Sequence, residues 1–511
     1  MAKNLDLLLV HPGSRKQIYQ SLSENLAAVE PPVWAGLIAT FIRKHGFAVD
    51  ILDAEADELG AAETALRIVG IAAKLTAVVV YGHQPSASTQ NMTASGAICT
   101  AVKQLDASQK IILVGGHVAA LPQRTLREED ADFTCNGEGP YTILDLLQAL
   151  QSNASDYSKV RGLCYRQDGE VVQNPPSPLV MNLDREMPEM AWDLLPMEKY
   201  RAHNWHCFGN FEREPYASLY TTFGCPYHCS FCCIQAPFKS GEHLAGMKDS
   251  VNSYRFWSPA TIVGQLEMLV QKHGVRNVKI ADEMFVLNPR HVLGICDGII
   301  ERGLDLNIWA YARVDTVKDG MLEKLKRAGF NWLAFGIEAA SEQVRDDVDK
   351  GFGQEDIFRT IDKVRAAGIN VIGNYIFGLP EDDLASMQAT FDLALEINCE
   401  FANFYSAMAY PGSGLYDLAV KQGWLLPDQW SGYSQHAVNS LPLPTKHLSG
   451  AEVLAFRDRA FDAYFTSPSY LAMITKKFGD KTASHLRDMT SHKLIRAHVA
   501  PKAALAAIAV S

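Results

Sequence analysis

Thr222-Phe223-Gly224-Cys225-Pro226-Tyr227-His228-Cys229-Ser230-Phe231-Cys232 sets three cysteines at Cys-x3-Cys-x2-Cys spacing, directly after a short apolar run at 218–222 that reads as a strand. Closely spaced thiolates on a short loop are how proteins hold cubane iron–sulfur clusters. Three ligands leave one iron open to a small chelating molecule. Structural zinc wants four ligands, usually as paired Cys-x2-Cys units, and His228 could join Cys229 only with awkward geometry. Buried structural cysteines are the plain alternative. Cys233, next to the last of the three, reads as filling space, with a catalytic thiol as the other reading.

Downstream of this loop the chain alternates strands and helices. Strands are expected at 218–222, 278–281, 307–312, 332–337, 371–377 and 401–407, with helices between them, for instance at 259–273 and 356–367. Six such units predict a partial, parallel (β/α)6 barrel over 216–426, with its chemistry at the carboxyl ends of the strands. The cysteine loop falls at such an end. Residues 427–511 read as a small, mainly helical region that closes over the barrel mouth and helps set specificity. Its aromatic residues Trp430, Tyr433, Phe461, Tyr464 and Phe465, with Trp424 just before it, read as core rather than as pocket lining.

Upstream, residues 1–150 carry continuous apolar strands at 5–10, 47–52, 75–81, 110–114 and 132–135, and Pro31-Pro32 opens a helix. Strands buried on both faces predict an α/β domain with a doubly wound, Rossmann-like parallel sheet. Ligands of such sheets bind beyond the strand carboxyl ends. The loops there are His11-Pro12-Gly13-Ser14, Gly82-His83-Gln84-Pro85-Ser86, Gly115-Gly116-His117 and Asn136-Gly137-Glu138-Gly139. Glycine at these places lets backbone approach a ligand closely. Residues 151–215, rich in proline and containing Trp192, Trp205 and Phe208, read as a linker packed against both neighbours.

The chain has 511 residues, 48% hydrophobic and 21% charged, enough for large cores. A formal net charge of −11 repels phosphate backbones, so nucleic acid is not an expected partner. No stretch nears the ~20 apolar residues of a membrane span, and a cytoplasmic location is expected. Ten cysteines, three of them clustered, suit metal or redox chemistry in a reducing compartment better than a disulfide framework.

The cysteine loop, with the aromatic Phe231 before its third cysteine, resembles that of the radical S-adenosylmethionine (SAM) superfamily. The resemblance implies that Cys225, Cys229 and Cys232 hold a [4Fe-4S] cluster. It further implies that Asp282 and Glu283 meet the methionine amino group, Arg313 its carboxylate, Glu338 the ribose, and Phe231 with Gly378 and Pro380 the adenine side. Pro411-Gly412-Ser413 matches the family's sixth strand ending. Each has a plain alternative as a helix cap, an ion-pair partner or a solvated loop residue.

The N-terminal half resembles the cobalamin-binding domain of one subgroup of that family. The carrying residues are Gly115, Gly116 and His117 with Pro122, then Asn136, Gly137, Glu138 and Gly139. The Asp-x-His-x-x-Gly motif that supplies a cobalt ligand in some cobalamin proteins does not occur, and His83 or Gln84 is the candidate for the lower face. By resemblance the chain is a cobalamin-dependent methyltransferase acting on an unactivated carbon of a small molecule through a 5′-deoxyadenosyl radical and methylcobalamin. A reductant such as flavodoxin or ferredoxin supplies its electrons. A cyclase or oxidoreductase without net methyl transfer is the second reading, like the anaerobic magnesium-protoporphyrin ester cyclase or ring-contracting enzymes. A non-enzymatic cluster or corrinoid binder is the third.

Overall fold

The computed structural model describes residues 5–82, 86–152, 156–209, 211–227, 229–233, 254–318, 320–346 and 353–499. The first sheet runs in the order β2-β1-β3-β4-β5-β6-β7, with β1 Leu7–His11, β2 Val49–Asp53, β3 Leu75–Val79, β4 Ile111–Val114, β5 Phe133–Cys135, β6 Leu163–Gln167 and β7 Glu170–Gln173. Strands β1 to β5 pair in parallel, and every residue of β1, β3 and β4 is buried, as expected of strands covered by helices on both faces.

The last two strands correct the reading of 151–215 as a linker. β6 pairs antiparallel with β5 and with β7, so this segment extends the first sheet. Its turn is Asp168-Gly169, with φ of +52° and +84°, the left-handed pair that a two-residue hairpin demands. Beyond the hairpin the chain does run against both neighbours. Trp192 donates its indole N–H to Gln265 at 2.8 Å, and Trp205 packs edge-on to Trp309 and Trp332.

The second sheet has the order β15-β14-β13-β12-β11-β8, all parallel, with β8 Tyr216–Leu219, β11 Asn277–Ile280, β12 Asn307–Ala312, β13 Phe330–Glu338, β14 Asn370–Phe377 and β15 Phe401–Ser406. This is the expected partial barrel. A two-stranded ribbon, β9 Thr222–Phe223 and β10 Arg255–Phe256, stands at its mouth. At the opposite end asparagines tie neighbouring strands side by side. Asn331 donates to Asn307 at 3.0 Å, and Asn307 to Asn277 at 2.9 Å. Register locked at the amino ends brings the carboxyl ends to a common level.

Two contacts seat the first sheet against the barrel. Trp34 stacks on Tyr81 at 4.4 Å on one side and on Phe223 at 4.6 Å on the other. Glu138 forms an ion pair with Arg255 of β10, both side chains largely buried. The C-terminal helices Gly450–Thr466, Pro468–Phe478 and Asp480–Ser491 complete the molecule. Of their aromatics, Tyr464 and Phe465 are core, as read, fully buried and with the Tyr464 hydroxyl donating to the Cys399 carbonyl at 2.7 Å, whereas Phe461 is half-buried and lines a cavity. Among the described residues no helix is long and apolar enough to cross a membrane.

Candidate functional site

A cavity of about 310 Å³ opens at the carboxyl ends of the barrel strands, and the three motif cysteines share its wall with Phe231, Glu283, Arg313 and Glu338. Gly224, at φ +75°, turns the chain out of β9, and Cys232 N–H closes a turn on the Cys229 carbonyl at 3.0 Å. Cys225 and Cys229 are buried and Cys232 is partly exposed; none is in a disulfide. Burial pushes the Cys225 thiol up to about 12, so a thiolate there needs a positive partner. Among the described residues no three His, Cys, Asp or Glu side chains gather around a point for a single ion. The three thiols share one wall of the cavity, and a cluster would bind each of them through a different iron.

Asp282 and Glu283 follow β11 and part company. Asp282 is fully buried, accepting from the Thr221 amide and hydroxyl at 2.5 Å each and from the Thr222 amide at 3.1 Å. It ties β11 to the start of the cysteine loop and does not line the cavity, and burial raises its pKa to about 6 despite those bonds. Glu283 turns into the cavity instead. Its Oε2 is buried without a partner, and burial, with Asp282 adding repulsion, lifts its pKa well above the usual carboxylate range. A buried carboxylate oxygen without a donor is a place for a cationic ligand group.

Arg313, just past β12, holds Asp315 through Nε and Nη2 at 2.9 and 3.1 Å and lies 4.0 Å over the ring of Tyr227 in the cysteine loop. Glu338 ends β13 beside a register shift and carries φ +65°. A non-glycine residue held there is strained by about 1 kcal/mol or more, and such strain concentrates at binding sites. Gly378 and Pro380 do not line the cavity. Leu379 between them does the packing, in one apolar cluster with Ala339, Val344, Ala407 and the Phe231 ring. Gly378 and Leu379 amides both donate to Asp382 at 3.0 Å.

The four loops of the first sheet divide in the same way. His83 and Gln84 lie outside the described residues. His117 is buried beneath Trp430, ring centroids 4.3 Å apart, with its backbone amide donating to the Ser88 hydroxyl at 3.0 Å, and burial pushes its pKa down to about 3. Gly115 sits so close to Val80 that a Cβ would meet its carbonyl oxygen at 2.5 Å. Gly137 lies against Ser177, Gly139 opens the helix Pro140–Gln151 at φ +108°, and Gly116 opens the short helix Gly116–Ala120. Glu138 is held by Arg255 and by the Val180 amide at 3.4 Å. The carboxyl end of β1 and the helix Ala87–Leu105 that follows β3 reach a second cavity. His11, Ala87, Gln90 and Asn91 line this cavity of about 240 Å³ inside the barrel. His11 is oriented there by Asp53 at 2.8 Å, which in turn accepts from the Tyr200 hydroxyl at 2.8 Å.

Residue spacing had not pointed to Tyr19, Gln90, Tyr311, Tyr405 or His436, which line both cavities and join them. Tyr311 and Tyr405 had a signal, each being an aromatic on an inward-facing position of a barrel strand. His436 had none, because it comes from an irregular segment. There Gln435 pairs reciprocally with the Ser406 backbone at 2.9 and 2.8 Å and continues the edge of β15.

The profile of the family described as Radical SAM superfamily matches residues 219–394, and that of the B12 binding domain residues 20–147. An uncharacterized methyltransferase of Pyrococcus horikoshii is 26% identical over 92% of this chain and 94% of its own length. The anaerobic magnesium-protoporphyrin IX monomethyl ester cyclase of Rubrivivax gelatinosus is 26% identical over 80% of this chain and 69% of its own length. Among solved structures, the radical SAM methyltransferase TsrM from Kitasatospora setae, with cobalamin and [4Fe-4S] cluster bound, superposes with a TM-score of 0.65 at 17% identity, over 91% of this chain and 90% of that one. A barrel carrying the three-cysteine loop, set behind a B12 binding domain, places this chain in the radical SAM superfamily, among its cobalamin-dependent enzymes.

Proposed function

We propose that this protein is a cobalamin-dependent radical SAM methyltransferase acting on an unactivated carbon of a small molecule. The observation that carries the reading is the convergence of three thiols, Phe231, Glu283, Arg313 and Glu338 on one cavity at the barrel's carboxyl end. When bound, the cluster supplies the electron that breaks the SAM sulfonium, and cobalamin carries the methyl group. Cys225, Cys229 and Cys232 would hold the cluster, with the methionine end of SAM in the cavity they line. Glu283 accepts from the ammonium group, Arg313 faces the carboxylate, and Glu338 reaches the ribose. Phe231, backed by Leu379, walls the adenine side and keeps water out. The corrin would be held against the first domain, with His83 or Gln84 the candidate for its lower face, because Trp430 covers His117 and Arg255 occupies Glu138.

Methylation is favoured over ring closure by the extent of the matches. The relative named a methyltransferase aligns over 94% of its length, the cyclase over 69%. The protein works in the cytoplasm and draws electrons from a small carrier such as flavodoxin or ferredoxin.

The test is anaerobic turnover of the reconstituted protein with methyl-labelled SAM and a strong reductant. Formation of both 5′-deoxyadenosine and S-adenosylhomocysteine is expected, with label in the product. Deoxyadenosine without label transfer would favour the cyclase reading. Neither product, together with unchanged iron content in Cys225→Ala, would overturn radical SAM chemistry here.

A further inference from the structure

We propose that the inner cavity is the anchoring end of the substrate pocket and that Arg457 binds a substrate carboxylate there. The substrate is then an organic acid with an apolar or aromatic body. This rests on the reading of the outer cavity as the reaction site.

Arg457 lies on the helix Gly450–Thr466, is 6% exposed and lines the inner cavity. The other buried cations of that cavity are matched by carboxylates. Arg15 meets Glu55 at 2.7 Å, and Lys279 meets Glu30 at 3.1 Å. Arg457 is not matched in this way. Its neighbour Asp458 is claimed by Arg496 through Nε and Nη2, both at 2.9 Å, whereas Arg457 reaches it through Nη1 alone at 2.9 Å. Two guanidinium groups thus share one carboxylate. Arg457 Nε is spent on the Phe404 carbonyl at 2.7 Å, and Nη2 has no partner among the described residues. A buried cation with a spare donor at a cavity wall is stabilised by an incoming anion.

The rest of the wall suits a flat apolar body, with Trp309, Tyr311, Phe404, Tyr405 and Phe461. Tyr311 and Tyr405 also line the outer cavity. A molecule held by its acid group at Arg457 therefore extends along these two rings toward the space shared by the three cysteines. Anchoring of this kind fixes which carbon faces the reaction site.

Calorimetric titration of the full-length, cluster-reconstituted protein with 4-phenylbutyrate and with its neutral amide tests the assignment without requiring SAM cleavage or methyl transfer. Failure here is therefore distinguishable from failure of the proposed reaction. The carboxylate should bind about tenfold tighter than the amide or better. Arg457→Gln should abolish that preference, and Arg457→Lys should keep part of it. Equal binding of the two probes to the unsubstituted protein, or binding of neither, overturns the proposal whether or not the variants fold. So does a preference that survives Arg457→Gln. Loss of probe binding on loading with hydroxocobalamin also overturns it, because the cavity would then belong to the corrin.

Discussion

Asp282 and Glu283 share a charge and a peptide bond, yet the fold gives them different work. Asp282 saturates its oxygens on Thr221 and Thr222, while Glu283 keeps one oxygen buried and unmatched in the outer cavity. Glu283→Gln should raise the KM for SAM by about tenfold, the scale of one charge-assisted hydrogen bond, with little change in stability. Asp282→Ala should do the reverse. It should cost about 2 kcal/mol in urea unfolding, because two buried amides lose their acceptor, with the KM for SAM nearly unchanged. A KM that rises equally in both variants would contradict this division. The pair was legible as a site because it follows a strand that ends beside the cysteines. Which carboxylate enters the cavity was not, since that depends on the direction of each side chain past the strand's end.

Between elements, the junctions are made by single residues whose partners lie far away in the chain. Glu138 and Arg255 are the clearest case, a largely buried pair that joins the first sheet to the ribbon at the barrel mouth. Glu138→Gln alone should cost about 3 kcal/mol, because it takes the carboxylate from a largely buried guanidinium, and the double variant Glu138→Gln/Arg255→Met should recover most of it. Additive losses in a double-mutant cycle would show the pair to be uncoupled. Gly378 is a second junction. At φ +81°, a Cβ there would meet Val453 Cγ1 of the C-terminal helix at 2.4 Å. Gly378→Ala should therefore lower the free energy of unfolding, measured in urea, by about 2 kcal/mol or more, through both strain and the clash. The hairpin of β6 and β7 was in principle readable. Asp168-Gly169 is a strong turn signal, but the prolines around it read as a linker.

At the scale of the whole molecule, three histidines stand where regions meet: the buried His117 under Trp430, the buried His206 with Nε2 on the Asn307 carbonyl at 3.0 Å, and the half-buried His436 against Tyr19. Burial lowers each pKa to about 3 from an ordinary 6.5. The folded state thus binds fewer protons than the unfolded chain below the ordinary value. The stability is fully present above about pH 6.5 and is lost as pH falls toward 3, at about 2 kcal/mol per histidine by pH 5. Urea midpoints of the cluster-free chain should drop steeply between pH 7.5 and 5, and His117→Gln should flatten the slope. A midpoint that stays level over that range would remove these histidines from the account. What the sequence determined by itself was the chemistry and the plan: a three-cysteine loop, parallel strands alternating with helices, and a second sheet with glycine-rich strand ends. These rest on short spacings and on periods of two or 3.6 residues, which a linear chain displays openly. Only the tertiary structure decided which members of each motif face the cavity, that Glu138 and His117 are taken up in contacts between regions, and that Arg457 stands under-paired beside a second cavity. Such facts depend on side-chain direction and on contacts between residues hundreds of positions apart, and no local pattern records them.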